Sequence, residues 1–210
     1  MHIAEGTLSG STEGLVVLGL GWAVTAAGTA IGLRRMDYER VPQVALLSAA
    51  FFVVSLIQIP IGPTSVHLVL CGLIGLVLGW AAFPAMLVAL TLQVLIAGVG
   101  GPTTLGINTF VMGTPAIVSY LLLRPGIHSK SETVTFAAAF FAGAFALLFG
   151  ALLNASALAL AGGSFRLFAG ASLMAHVVAM PLEGLITATT VVFLRKVRPE
   201  LLEAPLLATR

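Results

Sequence analysis

Apolar runs of about twenty residues recur from one end of the chain to the other, each closed by a charge, a proline or a glycine cluster. Coiled as a helix, such a run matches the roughly 30 Å hydrocarbon core of a bilayer. Only 9% of the 210 residues are charged and 59% are hydrophobic, against roughly 25% charged in a typical soluble domain. With a mean hydropathy of +1.09, the chain has too few charges to cover a water-facing surface. Its composition calls for lipid as solvent. The runs predict an all-α membrane protein forming a single transmembrane domain of about seven helices, at 12–33, 42–60, 64–80, 83–99, 105–123, 133–160 and 168–194. All are read as helices because lipid does not tolerate an open strand edge and the alternation of a barrel is absent.

Seven spans place the termini on opposite sides, and the basic residues choose between the two orientations. With the N-terminus outside, Arg34, Arg35, Arg40, Arg124, Lys130, Arg195, Lys196, Arg198 and Arg210 all fall on the cytoplasmic side, and only Arg166 falls outside. That orientation puts Met1, His2 and the loop before His67 on one outer face, with 195–210 as a cytoplasmic tail. The opening MHIAEGTLSG has neither a basic start nor an apolar stretch, so it is not a signal peptide and the mature chain is expected to begin at Met1.

Several functions are excluded. Cys71 is the single cysteine, so there is no disulfide scaffold or thiolate cluster. The basic residues lie at segment ends and form no nucleic-acid patch. No Gly-x-x-x-x-Gly-Lys-Ser/Thr loop is present, so energy from ATP would have to come from partner subunits. The chain is expected to be non-catalytic and to hold no organic cofactor.

A chain that begins Met1-His2 offers three nitrogens in a row: the terminal amine, the His2 amide and the His2 Nδ1. Around one ion they close a five-membered and then a six-membered chelate ring. The flat peptide unit keeps those rings nearly coplanar. One corner of the square stays empty, and another imidazole would fill it. Such a site suits Ni²⁺ or Cu²⁺ better than tetrahedral Zn²⁺. His67 is the candidate for that corner. Read as lying just inside a third span, it would be recessed below the outer surface, since His67 to Trp80 covers only about 21 Å of helix. The competing reading leaves His2 as a mobile terminal residue and His67 as a polar residue facing its neighbours.

Other polar residues in apolar runs need an account, because intramembrane ionisable groups are costly and face the bundle interior. His176 and Glu183 share one helix face about 10 Å apart, which suits interior anchors or outer support better than a shared ion. Asn154 fits as helix–helix glue. Glu5 and Glu13 flank the first span and are expected to be solvated, as is His128. Cys71 is expected to be a small packing residue. Ala23, Ala26, Ala27 and Ala30 give the first span a small-residue face, open either to packing within the chain or to a partner helix. Gly98–Asn108 is polar and glycine-rich, as expected of non-helical backbone covered by protein or lining a cavity.

Taken together, Met1-His2-Ile3-x-Glu5-Gly6, Pro63-Thr64-Ser65-Val66-His67, Gly100-Gly101-x-Thr103-x-Leu105-Gly106-x-Asn108 and Glu183-Gly184 resemble the CbiM/NikM family. Its members are the substrate-binding S components of energy-coupling factor (ECF) cobalt and nickel transporters. The resemblance implies a seven-helix fold with the segment 1–11 tucked into the bundle. It implies metal held by Met1, His2 and His67, with Thr103, Thr104 and Asn108 lining the site. It also implies Ni²⁺ or Co²⁺ as the transported substrate, with the planar nitrogen site favouring Ni²⁺. The partners implied are a transmembrane coupling protein, a cytoplasmic ATPase pair and a small accessory membrane subunit, in a prokaryotic plasma membrane. The compact PTSVHLVLCGLIG lacks the longer Ser/His/Gly-rich insert of cobalt-type members. Two rivals fit less well. A self-sufficient permease would carry a His-x-x-x-x-Asp-His motif, which is absent. A serine hydrolase built on Gly170-Ala171-Ser172 with His176 lacks the second glycine, replaced by Leu173.

Overall fold

Ser11 sets where the first helix starts. Its backbone is extended (φ −140°, ψ 155°) and its Oγ accepts from Gly14 N–H at 3.0 Å, satisfying a donor that a helix start leaves unpaired. Helix α1 then runs Thr12–Arg35. The computed structural model describes residues 2–61, 64–160 and 165–203. Met1, Gly62, Pro63 and the tail with Arg210, which all entered the sequence expectations, lie outside the described residues.

After α1 come α2 (Val41–Ser55), strands β1 (Gln58–Ile61) and β2 (Thr64–His67), α3 (Cys71–Leu78) and a 3₁₀ turn at Gly79–Ala81. They are followed by α4 (Ala82–Leu92), a π-helical turn at Gln93–Ala97, α5 (Leu105–Ile127), α6 (Glu132–Leu160) and α7 (Arg166–Val197). Among the described residues, five segments are long and apolar enough to cross a membrane: Thr12–Arg35, Cys71–Ala97, Leu105–Ile127, Glu132–Leu160 and Phe168–Val197.

Two expected spans are therefore corrected. The helix expected over 42–60 stops at Ser55, and 64–80 is not one helix. Instead Gln58 pairs with His67 and Ile61 with Thr64 in an antiparallel hairpin. Pro60 and Pro63 explain the change, because a proline cannot donate within a helix and pushes the residue before it towards extended backbone. The β-branched Ile59, Ile61 and Val66 suit a pleated ladder. His67 is thus a strand residue, and the depth inferred for it from helical rise does not apply. The sequence offered little warning, since a short apolar run does not by itself separate strand from helix.

Small residues let the helices approach closely, as is usual where lipid gives no hydrophobic drive between helices. The buried stripe of α1 is Gly14, Leu18, Gly21, Thr25, Gly28 and Gly32. A Cβ on Gly21 would lie 2.6 Å from Cα of Ile107, and one on Gly28 2.7 Å from the Phe83 ring. Thr25 Oγ1 donates to Gly106 O at 2.7 Å, and Trp22 Nε1 to Thr103 O at 3.2 Å. This locks the first half of α1 onto the start of α5. Ala23, Ala26, Ala27 and Ala30 point away from that seam and are exposed.

The α3–α4 segment is the centre of the bundle: 78% of its most apolar window is buried, against 28% for α1. Gly75 abuts the backbone of Ala116 on α5, and Gly72 that of Ala142 on α6. Cation-bearing ends gather at the far end of the bundle from residue 2. Arg35 lies 5.0 Å over the Trp80 ring, Arg40 Nη2 donates to Glu203 O at 3.0 Å, and Lys196 pairs with Glu132 at 2.8 Å.

Candidate metal centre

The segment ahead of α1 is fastened to the bundle by named contacts. Ile3 and Leu8 are each 1% exposed, so two large apolar side chains anchor a segment of only ten residues. Between them Thr7 N–H donates to Ala4 O, with Gly6 at φ 82° making the turn. Asn108, in the first turn of α5, clamps the backbone of Ile3. Its Oδ1 accepts from Ile3 N–H at 2.8 Å and its Nδ2 donates to Ile3 O at 3.0 Å. Asn108 Nδ2 also reaches Thr104 Oγ1 at 3.4 Å. Glu5, exposed as expected, also accepts from Thr103 N–H at 3.1 Å and from Thr103 Oγ1–H at 2.5 Å. Thr103 and Asn108 thus hold the N-terminal segment itself, and Thr104 braces Asn108.

This fastening brings His2 to His67. Their ring centroids are 5.2 Å apart with planes at 89°. Both nitrogens of the His2 ring are buried and have no hydrogen-bond partner among the described residues. His67 Nδ1 lies 2.9 Å from the carbonyl of Ser55. A carbonyl only accepts, so Nδ1 carries the proton and the lone pair sits on Nε2. Burial pushes the His2 imidazole well below the ordinary 6.5, and burial also lowers that of His67. Both effects favour the neutral ring, the form that binds metal.

β2 is held from α7. Glu183, 1% exposed, accepts from the N–H groups of Val69 and Leu70, the latter with its oxygens at 3.1 and 3.0 Å. Leu70 adopts a left-handed conformation (φ 50°) at the cap of α3. The carboxylate therefore fixes the strained turn that follows His67. A cavity of about 410 Å³ lies against His2, lined by Ile3, Ala4, Thr7, Leu158, Phe165 and Phe168. Among the described residues no three His, Cys, Asp or Glu side chains cluster around a common point. The imidazole pair would need backbone or terminal nitrogens to complete a ligand set.

The family described as "Cobalt uptake substrate-specific transmembrane region" (CbiM) matches residues 2–201. The chain belongs to this family. The cobalt transport protein CbiM of Sorangium cellulosum is 32% identical over 225 residues, covering 97% of this chain and 95% of that protein. A putative metal transport protein of Haemophilus influenzae is 46% identical over 130 residues, 62% of this chain and 61% of that one. The fused nickel transport protein NikMN of Rhodobacter capsulatus is 37% identical over 122 residues, 53% of this chain and 33% of that one. The alignment thus spans less than two thirds of the length of these last two relatives. A solved structure of a transition metal transporter superposes with a TM-score of 0.74 at 26% identity, covering 94% of this chain and 93% of that one. Membership of the CbiM family, with the apolar helices, makes this a multi-pass membrane protein.

Within this CbiM-family frame, the remaining sequence candidates sit apart from the imidazole pair or support it. Glu183 anchors a backbone turn, while His176 Nδ1 is bonded to Ser172 O at 2.7 Å. That bond ties the ring to the backbone of its own helix, and Nε2 is buried without a partner among the described residues. Cys71 is buried as the first residue of α3, and His128 caps the end of α5. Ser55 and Gln93 were not among the residues singled out from the sequence. Gln93 could have been flagged as a lone amide inside the apolar run 83–99.

Proposed function

We propose that the chain is the substrate-specific component of an ATP-driven ECF-type transporter that takes up a divalent transition metal, with Ni²⁺ favoured over Co²⁺. The ion is captured by the Met1 amine, the His2 amide nitrogen and Nδ1, and the His67 imidazole, in a flat four-nitrogen array. The observation that carries this reading is the approach of the His2 and His67 ring centroids to 5.2 Å, with both His2 ring nitrogens buried and without a partner among the described residues. Buried polar groups are nearly always bonded, so this pair is arranged for something that accepts two imidazoles. Asn108 and Glu5 supply the reason His2 stays there. Relatives named for cobalt and for nickel support the metal class, and planar nitrogen donors favour Ni²⁺ within it.

By the positive-inside rule the end bearing Arg35, Arg40 and Lys196 faces the cytoplasm of a prokaryotic cell, and the His2 end faces out. The exposed Ala23, Ala26, Ala27 and Ala30 then form a face on which a helix of the transmembrane coupling protein docks, with the ATPase pair beneath and a small accessory subunit alongside. Thr103, Thr104 and Asn108 act as outer donors that orient the ligand-bearing segment.

The test is Ni²⁺ retention by purified protein carrying a C-terminal tag, compared with the same protein carrying extra residues ahead of Met1. Retention is expected only with the unextended start, and His2→Ala or His67→Ala abolishes it. Normal binding by the extended protein overturns the terminal-amine ligand, and normal binding by either alanine variant overturns the site.

A further inference from the structure

Gln93 is 1% exposed and opens the π-helical turn that ends α4. Turns of this kind are frequent at functional sites. Its Nε2 donates to Ser55 Oγ. The single hydroxyl proton of Ser55 goes to Phe52 O at 2.7 Å, so Ser55 Oγ can meet the amide only as an acceptor. The NH₂ side of Gln93 must therefore face Ser55, and the orientation of the amide follows from its bonds. Oε1 is left on the opposite side. It is buried and has no partner among the described residues. The side chain neighbours the His2 ring, whose two nitrogens are unpartnered as well. A buried acceptor and a buried ring nitrogen, each costly when left unpaired, thus stand side by side.

Metal chemistry supplies the missing proton. If Nδ1 of His2 binds the ion, Nε2 must carry hydrogen, and it needs an acceptor. On the other side of the same unit, the backbone carbonyl of Ser55 takes Nδ1–H of His67 at 2.9 Å. A continuous path then runs His2, Gln93, Ser55, His67. We infer that Gln93 is a positioning residue of the metal centre: its Oε1 accepts Nε2–H of His2, turning Nδ1 to the cation, and its tie to Ser55 holds the two imidazoles in one register. This rests on the metal site proposed above and adds a residue that belongs neither to its ligands nor to the Thr103–Asn108 loop. A partner on the far ring nitrogen fixes the tautomer and raises the basicity of a histidine ligand.

The experiment titrates Ni²⁺ into the full chain with an unextended start, reading affinity by competition with a chromophoric chelator and site geometry by the visible d–d bands. The variants are Gln93→Leu, Gln93→Glu and Ser55→Ala. Gln93→Leu is expected to weaken binding by about 10- to 100-fold, the usual effect of losing such a partner, and to move the d–d bands. Gln93→Glu keeps the acceptor for His2 but loses the donor to Ser55, so it recovers affinity and bands only in part, to about the level of Ser55→Ala, a rescue that mere packing would not produce. Ser55→Ala frees the amide to rotate and gives an intermediate loss. Parent-like affinity and bands in Gln93→Leu, or failure of Gln93→Glu to do better, overturns the inference. If Gln93→Leu does not fold, Gln93→Asn replaces it. Its amide is one methylene too short to span both partners, and parent-like binding by it overturns the inference equally. His2→Ala and His67→Ala run in parallel. Normal binding by those two removes the site itself, whereas their failure beside a normal Gln93→Leu removes only the role of Gln93.

Discussion

Asn108→Ala should undock the N-terminal segment while leaving the helices standing. The side chain makes two buried bonds to Ile3, at 2.8 and 3.0 Å, and one long contact to Thr104 at 3.4 Å. Losing the clamp strands the Ile3 N–H and C=O, which lie beneath a residue that is 1% exposed. A buried group left unpaired costs ~1–3 kcal/mol, so the two stranded groups together cost about 2–6 kcal/mol. Affinity falls with the fraction of chains that hold His2 in place. At 1.4 kcal/mol per decade this weakens Ni²⁺ binding by up to about 30- to 20,000-fold, the full factor applying once the docked form is the minority. The assay is chelator competition on detergent-solubilised protein, with the melting of the metal-free protein as a control for the bundle. Asn108→Asp keeps the acceptor for Ile3 N–H but loses the donor to Ile3 O, and should fall between the two. Binding by Asn108→Ala within about threefold of the parent, a difference of less than 1 kcal/mol, refutes the clamp as the device that presents His2.

Other perturbations follow from the same contacts. Glu183→Gln replaces one accepting oxygen by a donor that faces Leu70 N–H, so it should cost about 1–3 kcal/mol of stability and weaken Ni²⁺ binding through the turn after His67; unchanged melting and binding would contradict the anchor. Gly75→Ala places a Cβ 2.1 Å from Ala116 O, so overpacking of about 1–3 kcal/mol or more should lower the melting temperature of the metal-free protein. Burial holds His2 and His67 below 6.5, so the undocked rings take up protons before the docked ones. Docking of the segment is then fully present above about pH 6.5. It is lost as pH falls through the docked values, by up to about 1.4 kcal/mol per pH unit for each ring. Metal retention followed from pH 8 to 5 should decline on that side only, and a profile flat down to pH 5 would count against buried neutral imidazoles as the ligands.

What the sequence made legible follows from how each signal is encoded. Charge-bounded apolar runs gave α1, α5, α6 and α7 to within a few residues, because lipid leaves no other home for them. The stretch 42–80 was misread because proline and glycine were its only breaks, and hydrophobicity alone does not tell a hairpin from a helix. The break expected between 80 and 83 is only a 3₁₀ turn at Gly79–Ala81 within one spanning segment, Cys71–Ala97. The pairing of His2 with His67 came from a resemblance carried by position in the chain, since spacing alone left both residues ambiguous. Asn108 was flagged as lining a loop, but its partner is the backbone of Ile3, 105 residues away, and no local pattern reports such a bond. Glu5 reached Thr103 in the same way. Ser55 and Gln93 were silent because each is a single polar residue in an apolar run, and only their mutual bond gives them meaning.

The most direct measurement is X-ray absorption at the nickel edge on Ni²⁺-loaded protein with an unextended N-terminus, beside His67→Ala. Four nitrogen neighbours in a planar arrangement are expected in the parent, and loss of that signature in the variant. A six-coordinate, oxygen-rich spectrum, or the same planar spectrum without His67, would contradict capture of the ion between the chain start and β2.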